Sequence, residues 1–295
     1  MSRQVHAALG LTLVGCDFSS SPTHKKPIVL AFGSVSNGRL LLSKLEQFGT
    51  LDGFNAWLTH NTDWLGAFDL PFGLPRELVE HLGWPSTWPA CMTHYASLSR
   101  QEIRSTFKAF CDARPAGGKF VHRATDKPAG SSPSMKWVNP PVAYMLHAGA
   151  PRLLAAGVHL PGLHAGNPLD VRIDATGLTV PRRVALEGYP GLLAREVLGN
   201  RSYKSDDKAK QTPERLIARK DLITQLELGH TRLNLRLKLS HAQRDALIDD
   251  ASGDSLDAVL CMLQAAWAQQ QHEQGAANYG LPSGVDPLEG WIITA

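Results

Sequence analysis

Short runs of apolar residues that end at a carboxylate recur along this chain, and each is followed by residues that interrupt a strand. They are residues 11–16 before Asp17, residues 64–68 before Asp69, and residues 184–186 before Glu187. Short apolar runs bounded by turn-forming residues are typical of buried strands. Serines follow Asp17, and Pro71 and Pro190 follow the other two runs. The pattern therefore predicts three buried strands with an acid at the carboxyl end of each.

Other segments of the chain have equally clear periodicity. Residues 28–35 and 39–49 predict a hairpin, because a Ser-Asn-Gly turn sequence separates two mostly apolar runs. Phe54, Trp57 and Leu58 have the spacing of one helix face. Pro213, a residue favoured in the first turn, begins a long amphipathic segment. Together these elements predict an α/β fold in which helices flank a sheet.

Two further carboxylates, Asp254 and Asp257, lie three residues apart near the end of the chain. Residues at i and i+3 share one face of a helix, while Leu256 and Leu260 contribute to a buried stripe. Like charges at this spacing weaken a helix by about 0.2–0.5 kcal/mol unless a cation bridges them or solvent screens them. The alternative is structural, because Gly253 interrupts the chain: Asp254 then caps the helix and Asp257 interacts with its dipole.

The acids at the strand ends favour a metal-binding site. Parallel strands of one sheet have their carboxyl ends along a common edge, where open α/β sheets bind ligands. A helix beside this edge adds Asp254 and Asp257 to Asp17, Asp69 and Glu187. Carboxylates this close repel one another unless a divalent cation lies between them. Their oxygen ligands suit Mg²⁺ or Mn²⁺, and a pair of such ions about 3.5–4 Å apart can cleave phosphodiesters.

Basic residues are concentrated in two segments, although the net charge is only +3. Residues 99–136 contain eight Lys or Arg against three acids, and residues 195–220 contain eight against four. Lys and Arg bind nucleic-acid phosphates, so these segments favour a nucleic-acid partner, with solvated helix faces as the alternative. Part of the first segment is rich in Gly, Ser and Pro and predicts a long surface loop near the site. The residues that we predict to contact the substrate are Lys119, Arg123, Lys127, Lys136, Tyr203 and Lys204.

Length and composition indicate one elaborated domain. No low-complexity linker or internal repeat divides the 295 residues, and 43% hydrophobic residues suffice for a buried core. No apolar run reaches the roughly 18 residues that suggest a membrane-spanning helix. Asp17 directly follows the apolar N-terminal stretch, which argues against a signal peptide. The four cysteines are far apart in the sequence, so we expect a soluble, cytoplasmic protein with reduced thiols and no membrane partner.

Several short motifs occur in an order that resembles a known family. They are VGCDFSS, FDLPFGLP, ALEGYPG, DSLDAVLC and the terminal EGWIITA. Their order and spacing are similar to those of domain of unknown function 429, a family of predicted nucleases with a ribonuclease H-like fold. The resemblance covers roughly residues 11–295. It implies a mixed five-stranded sheet, in which the first three strands form an antiparallel meander and the fourth and fifth lie parallel to the first.

The resemblance also implies the domain boundaries and the roles of the acids. It implies a single domain over residues 1–295, with a helical and loop insertion at about 76–181 between the fourth and fifth strands. Asp17 and Asp69 match the acids of the first and fourth strands, and Glu187 matches the acid of a later strand. Asp254 and Asp257 match paired acids of the C-terminal helix, and which of the two binds metal stays open. All five are candidates for catalytic residues and for metal ligands.

We therefore expect a nuclease that hydrolyses phosphodiester bonds with Mg²⁺ or Mn²⁺ as its cofactor. A nucleotide-binding phosphotransferase is an alternative, although the chain has no GxxxxGK[ST] phosphate-binding loop. A non-catalytic module that binds nucleic acid or protein on the same fold is a further alternative. Whether the substrate is DNA or RNA, and which oligomer forms, stay open.

Overall fold

A computed structural model describes residues 11–174 and 177–295 of the protein. Residues 1–10, which include part of the apolar stretch considered above as a signal peptide, lie outside the described residues, as do residues 175–176. The strands are β1 (Thr12–Asp17), β2 (Ile28–Ser36), β3 (Arg39–Phe48), β4 (Trp64–Asp69), β5 (Val171–Ile173), β6 (Thr179–Pro181), β7 (Arg183–Glu187) and β8 (Arg236–Lys238).

Six of these strands form one mixed sheet in the order β7-β4-β1-β2-β3-β8, and β5 and β6 form a separate antiparallel pair. Strands β1, β2 and β3 are antiparallel neighbours, whereas β4 and β7 run parallel to β1, as predicted. The predicted number of five strands is wrong, because β8 pairs with the outer edge of β3. Strand β8 has only three residues, too few for a recognisable alternation of apolar and polar positions.

The turn between β2 and β3 is tight, as the sequence predicted. Asn37 and Gly38 have positive φ angles of 50° and 69°. Two-residue hairpin turns require this conformation, which Asn and Gly adopt more readily than other residues. Ser36 therefore pairs with Arg39 directly across the turn.

Helices cover both faces of the sheet. They are α1 (Leu51–His60), α2 (Arg76–His81), α3 (Trp88–Ser97), α4 (Arg100–Asp112), α5 (Asp126–Ala129), α6 (Val142–Ala155), α7 (Pro190–Leu198), α8 (Pro213–Leu228), α9 (His241–Asp249) and α10 (Asp254–Glu273). Helices α1, α8 and α10 lie where the periodicity predicted helices, and α8 begins at the expected proline. The result is an α/β fold with a mixed sheet between two helical layers.

Alternate residues of the central strands contribute to two separate hydrophobic cores. In β1, Leu13 belongs to the core under α7–α10, whereas Val14 and Cys16 belong to the core under α1–α4 and α6. Successive side chains of a strand point to opposite faces of a sheet. A strand that is covered on both faces is therefore apolar at nearly every position, which explains the continuous apolar run in the sequence.

The segment between β4 and β7 contains α2–α6 and the β5–β6 pair, where the sequence predicted an insertion at about 76–181. Buried residues of α2, α3, α4 and α6 join the same core as those of α1, so this segment covers one face of the sheet. The part predicted as a long surface loop is interrupted by α5 and includes the buried residues Arg123, Thr125, Asp126 and Ser134. Much of that loop therefore lies in the interior.

Helix α10 lies directly on β1, and Gly15 makes this close approach possible. A Cβ atom at Gly15 would lie 1.9 Å from the carbonyl oxygen of Ala258 and 2.2 Å from the backbone nitrogen of Met262. Both atoms belong to the backbone of α10, so no side-chain rotation relieves the clash. The absence of a side chain at Gly15 therefore brings the first turn of α10 to the end of β1.

Cys16, Cys91, Cys111 and Cys261 are free and buried, which agrees with the expectation of reduced thiols. Cys16 lies in the core under α1 and Cys261 in the core under α10. Among the helices described, none is both long enough and apolar enough to cross a lipid bilayer.

Gly15→Ala is expected to destabilise the protein, because the added methyl group meets backbone atoms of α10. Overpacking of this kind costs about 1–3 kcal/mol or more. Urea unfolding followed by circular dichroism measures the free energy of unfolding. Gly118→Ala is the control, since a Cβ atom at Gly118 has no neighbour closer than 3.9 Å. Equal stability of the two variants would contradict the close approach of helix and strand.

Candidate metal centre

Three carboxylates from distant parts of the chain meet at the carboxyl edge of the sheet. They belong to Asp17 at the end of β1, Asp69 at the end of β4 and Asp257 in the first turn of α10. One oxygen atom from each of the three lies within 4.8 Å of the other two. We call these residues the carboxylate cluster, and they are close enough to bind a metal ion.

Strand pairing places Asp17 beside Asp69. Strands β1 and β4 are parallel, and their register pairs Asp17 with Asp69 just as it pairs Leu13 with Leu65. Leu13 and Leu65 lie in the core under α10, and the two-residue period of a strand directs both aspartates to the same face. Asp257 belongs to α10 itself, so the three acids share one side of the sheet.

Two neighbouring side chains bind Asp257. The Tyr203 hydroxyl donates a hydrogen bond to one carboxylate oxygen, and the Lys204 ammonium group donates to the other. The sequence predicted both as substrate contacts, and the structure places both against the carboxylate cluster. Asp257 is fully buried, whereas the Lys204 side chain is 40% exposed. Lys204 therefore supplies a positive charge that solvent can reach within an acidic site.

Two arginines of α8 fix the segment that carries Tyr203 and Lys204. The buried guanidinium group of Arg219 donates to the carbonyl oxygens of Tyr203, at 2.7 Å, and Ile248, at 2.6 Å. Arg215 donates to the carbonyl oxygen of Lys204. Hydrogen bonds from charged donors are about twice as strong as neutral ones. Helix α8 thus holds this segment against the carboxylate cluster.

Burial and mutual repulsion raise the pKa values of Asp17 and Asp69. Burial, reinforced by the charge of Asp257, raises the pKa of Asp69 to about 7, although Lys204 opposes the shift. The same causes raise the pKa of Asp17 well above its usual range. Burial lowers the pKa of Lys204, but attraction to Asp257 outweighs it and leaves that pKa well above the ordinary lysine value. Additional positive charge from a divalent cation would relieve the repulsion among the acids.

Asp254, the other member of the predicted acid pair, does not belong to the carboxylate cluster. Its role as a helix cap is also wrong, because Gly253 occupies the capping position of α10. The carboxylate of Asp250 instead accepts hydrogen bonds from the backbone nitrogens of Gly253 and Ser255. The charge of Asp254 contributes to the raised pKa of Asp17, so it affects the cluster from outside.

Glu187 ends β7 as predicted, but the structure does not bring it into the carboxylate cluster. In the parallel register Glu187 pairs with Phe68, not with Asp69. Phe68 lies in the core on the face opposite α10, so the Glu187 side chain points away from the cluster. It accepts hydrogen bonds from Arg123 at 2.6 and 2.7 Å and from the backbone nitrogen of Phe72 at 2.9 Å. A register difference of one residue thus removes Glu187 from the predicted set of metal ligands.

Arg123 was predicted to contact the substrate, but its guanidinium group is buried and has no donor left for a phosphate. All five of its N–H groups donate, to the carboxylates of Asp126 and Glu187 and to the carbonyl oxygen of Glu289. Arg123 therefore links the segment between β4 and β7 to the last residues of the chain. Its position in a basic segment gave no sign of its two buried acidic partners.

The other predicted contacts in this segment are lysines. Lys119 and Lys127 are exposed, and Lys136 is partly buried. Lys127 lines a surface depression together with Arg195. None of the three lines the two pockets that contain Asp69. Lys127 is related to them only through Arg195, which lines both its depression and one of these pockets.

Two pockets open beside Asp69. One has a volume of about 160 Å³, and the other has a volume of about 270 Å³. We call the first the apolar pocket, after its lining residues Leu70, Pro71, Pro140, Val142 and Met145. We call the second the basic pocket, after its lining residues Arg195, Arg201 and Lys204. Asp69 and Tyr189 line both, and Asp257 lines the basic pocket.

The sequence interpretation did not single out Tyr189 and Arg195. The Arg195 guanidinium group lies 5.2 Å from the centre of the Tyr189 ring and donates to its hydroxyl oxygen at 3.1 Å. Arg195 also donates to the carbonyl oxygen of Ala129 at 2.6 Å. Both acceptors are neutral, so the charge of Arg195 remains available to an anion. Their position after β7 was a usable sequence signal, because the residues that follow a parallel strand in α/β folds commonly form the ligand site.

Comparisons with protein families, with curated proteins and with solved structures gave no match. The resemblance to domain of unknown function 429 therefore stays a prediction. The geometry of the carboxylate cluster and of the two pockets beside it is the basis for a proposed function.

In the absence of metal, Asp69→Asn is expected to change how the free energy of unfolding depends on pH. The pKa of Asp69 is about 7 in the folded protein and ordinarily 3.8, so the folded state retains a proton that the unfolded state loses between these values. The contribution of Asp69 to the free energy of unfolding therefore falls as the pH rises from about 4 to 7, by at most about 1.4 kcal/mol per pH unit. Above pH 7 this contribution is constant. Urea unfolding in EDTA should give a shallower slope for Asp69→Asn, and parallel curves would contradict the raised pKa.

Proposed function

We propose that the carboxylate cluster binds Mg²⁺ or Mn²⁺ and that the protein hydrolyses phosphodiester bonds of nucleic acids. The observation that carries the proposal is the convergence of Asp17, Asp69 and Asp257 within 4.8 Å of one another. Carboxylate oxygens are the ligands that these hard cations prefer, and water and phosphate oxygens complete their coordination. The raised pKa values of Asp17 and Asp69 support the proposal, because acids held this close are stabilised by a cation.

The basic pocket supports a substrate that carries phosphate groups. Arg195 and Lys204 line this pocket beside Asp69 and Asp257. Guanidinium groups bind phosphate oxygens in pairs, and lysine acts as a flexible point charge. Lys127 shares a surface depression with Arg195, so positive charge continues from the site onto the surface. This extent suits a polyanion such as a nucleic-acid strand.

The residues of the site have distinct parts in the proposed reaction. A cation held by the cluster would supply Lewis acidity to activate water and to polarise a phosphoryl oxygen. Asp17, Asp69 and Asp257 hold the cation at the edge of the sheet. The Tyr203 hydroxyl orients Asp257 through its hydrogen bond, and Arg195 binds the phosphate group next to the one that is cleaved.

Lys204 contributes charge to the same site. Its ammonium group binds Asp257, which is also a proposed cation ligand, so the lysine and the cation compete for one carboxylate. The side chain is partly exposed and lines the basic pocket. When a cation binds, the flexible lysine stem lets the ammonium group turn to a substrate phosphate.

The strand order supports a ribonuclease H-like fold within this proposal. The resemblance implies an antiparallel meander followed by two strands parallel to the first, and β1–β4 and β7 have this arrangement. Acids at the ends of β1 and β4 and on the C-terminal helix α10 occupy the implied positions. Because one fold hosts many chemistries, the proposed activity rests on the carboxylate cluster and not on the topology.

A nuclease assay with single-stranded and duplex DNA and RNA tests the proposed activity. Cleavage should require Mg²⁺ or Mn²⁺ and should stop in EDTA. Asp17→Asn should lower the rate by about a hundredfold or more, because one cation ligand is lost. Asp254→Asn is the matched control and should retain most activity, since Asp254 lies outside the cluster. Cation binding without cleavage of any substrate would indicate a binding module, and no cation binding would overturn the proposal.

Lys204→Gln is expected to strengthen cation binding, because it removes a positive charge that binds Asp257. We expect the affinity for Mn²⁺ to rise by about tenfold or more, as measured by isothermal titration calorimetry at neutral pH. Lys238→Gln is the control, since Lys238 is exposed on the edge strand β8. Weaker binding by Lys204→Gln would show that the lysine organises the carboxylates and does not compete with the cation.

A further inference from the structure

The two pockets beside Asp69 differ in charge and have two lining residues in common. Asp69 and Tyr189 line both of them. The basic pocket presents Arg195, Arg201 and Lys204. Arg201 also pairs with Asp221 and Lys204 with Asp257, whereas Arg195 donates to neutral acceptors. The apolar pocket also includes Arg123 and Glu187, but these two are joined in a buried ion pair to which Asp126 also belongs. The metal centre therefore has positive charge on one side and an apolar cavity on the other.

A nucleotide unit has the same division of properties. Its phosphate is anionic, and its base is a planar ring with a weakly polar face and hydrogen-bonding edges. The faces of such a ring match Leu70, Val142 and Met145, and Ser132 adds a hydroxyl group at the wall of the apolar pocket.

The volume of the apolar pocket restricts what it can hold. At about 160 Å³ it is smaller than the roughly 300–1,000 Å³ of pockets that bury a drug-sized ligand. It suits one ring system, and it is too small for a stacked pair of bases. A base in a duplex is stacked and paired, so it reaches a pocket of this size only after leaving the stack.

Tyr189 lies where the two pockets meet and is held in place from two directions. Its backbone nitrogen donates to the Gln264 side chain at 2.9 Å, and its hydroxyl accepts a hydrogen bond from Arg195 at 3.1 Å. Aromatic rings beside cationic side chains are the usual elements of sites for single-stranded nucleic acids, where rings stack on bases and cations bind phosphates. Tyr189 and Arg195 supply one of each at the metal centre.

We propose that the apolar pocket receives one unstacked base of a single-stranded nucleic acid, while the adjoining phosphate lies at the carboxylate cluster and the following phosphates lie along the basic pocket. This inference rests on the proposed function and specifies its substrate as single-stranded. Recognition of the base is through shape and apolar contact with Val142 and Met145, so it tolerates different bases. Duplex nucleic acid binds weakly because its bases stay in the stack.

The experiment compares a fluorescent single-stranded oligonucleotide with the same oligonucleotide lacking one base at a defined position. Fluorescence anisotropy with the Asp17→Asn protein measures binding without cleavage, and cleavage mapping with the unaltered protein locates the cut. The unaltered protein should cut next to the missing base at least about tenfold more slowly than at the intact position. Equal cleavage at both positions would overturn the inference.

Filling the apolar pocket gives an independent test. Met145→Trp should weaken binding of the intact oligonucleotide by about tenfold, while the affinity for Mn²⁺ stays the same. Tyr144→Trp is the matched control, because Tyr144 is adjacent on α6 but contacts Arg100 and does not line the pocket. Unchanged oligonucleotide affinity in a folded Met145→Trp protein would overturn this inference but not the proposed metal centre. If the unaltered protein does not bind Mn²⁺, the proposed metal centre is overturned instead.

Discussion

The distance between helix α10 and strand β1 determines where Asp257 lies, and the absence of a side chain at Gly15 permits that distance. Most of α10 is buried against the sheet and the neighbouring helices. Burial of this apolar surface provides the free energy that holds Asp257 beside Asp17 and Asp69 against their mutual repulsion. The carboxylate cluster thus results from packing and not from attraction among its members, and the raised pKa values of Asp17 and Asp69 are the electrostatic consequence.

The parts of the site that follow from local sequence were predictable, and those that depend on strand register were not. Asp17 and Asp69 end apolar runs, and parallel neighbours in a sheet bring such ends together. Glu187 ends a similar run, but it aligns with the residue before Asp69, and no local pattern reveals a shift of one residue. The burial of Arg123 was hidden because Glu187 and Glu289, which accept hydrogen bonds from its guanidinium group, come from distant segments. The mixed sheet and its two helical layers were predictable, whereas the short edge strand β8 was not.

Glu187, which the strand register keeps out of the carboxylate cluster, has a different role in the molecule. Glu187 and Arg123 form a buried ion pair in the wall of the apolar pocket. Glu289 extends this network by accepting hydrogen bonds from the backbone nitrogens of Arg76, at 2.7 Å, and Ala124, at 2.9 Å. Removing one partner of a buried ion pair typically costs about 3–5 kcal/mol because a charge is left uncompensated. The network therefore fixes the segment between β4 and β7 to the sheet, and this segment forms most of the pocket wall.

The carboxylate cluster joins strands near the start of the chain to a helix near its end, which affects when the site forms. Proteins emerge from the ribosome N-terminus first, so β1 and β4 are made long before α10. During this time Asp17 and Asp69 lack Asp257, and the face of the sheet that α10 will cover has no helix on it. A nascent chain therefore cannot form the carboxylate cluster until α10 has been translated. The proposed activity, which needs Asp257, therefore cannot arise before α10 has been synthesised.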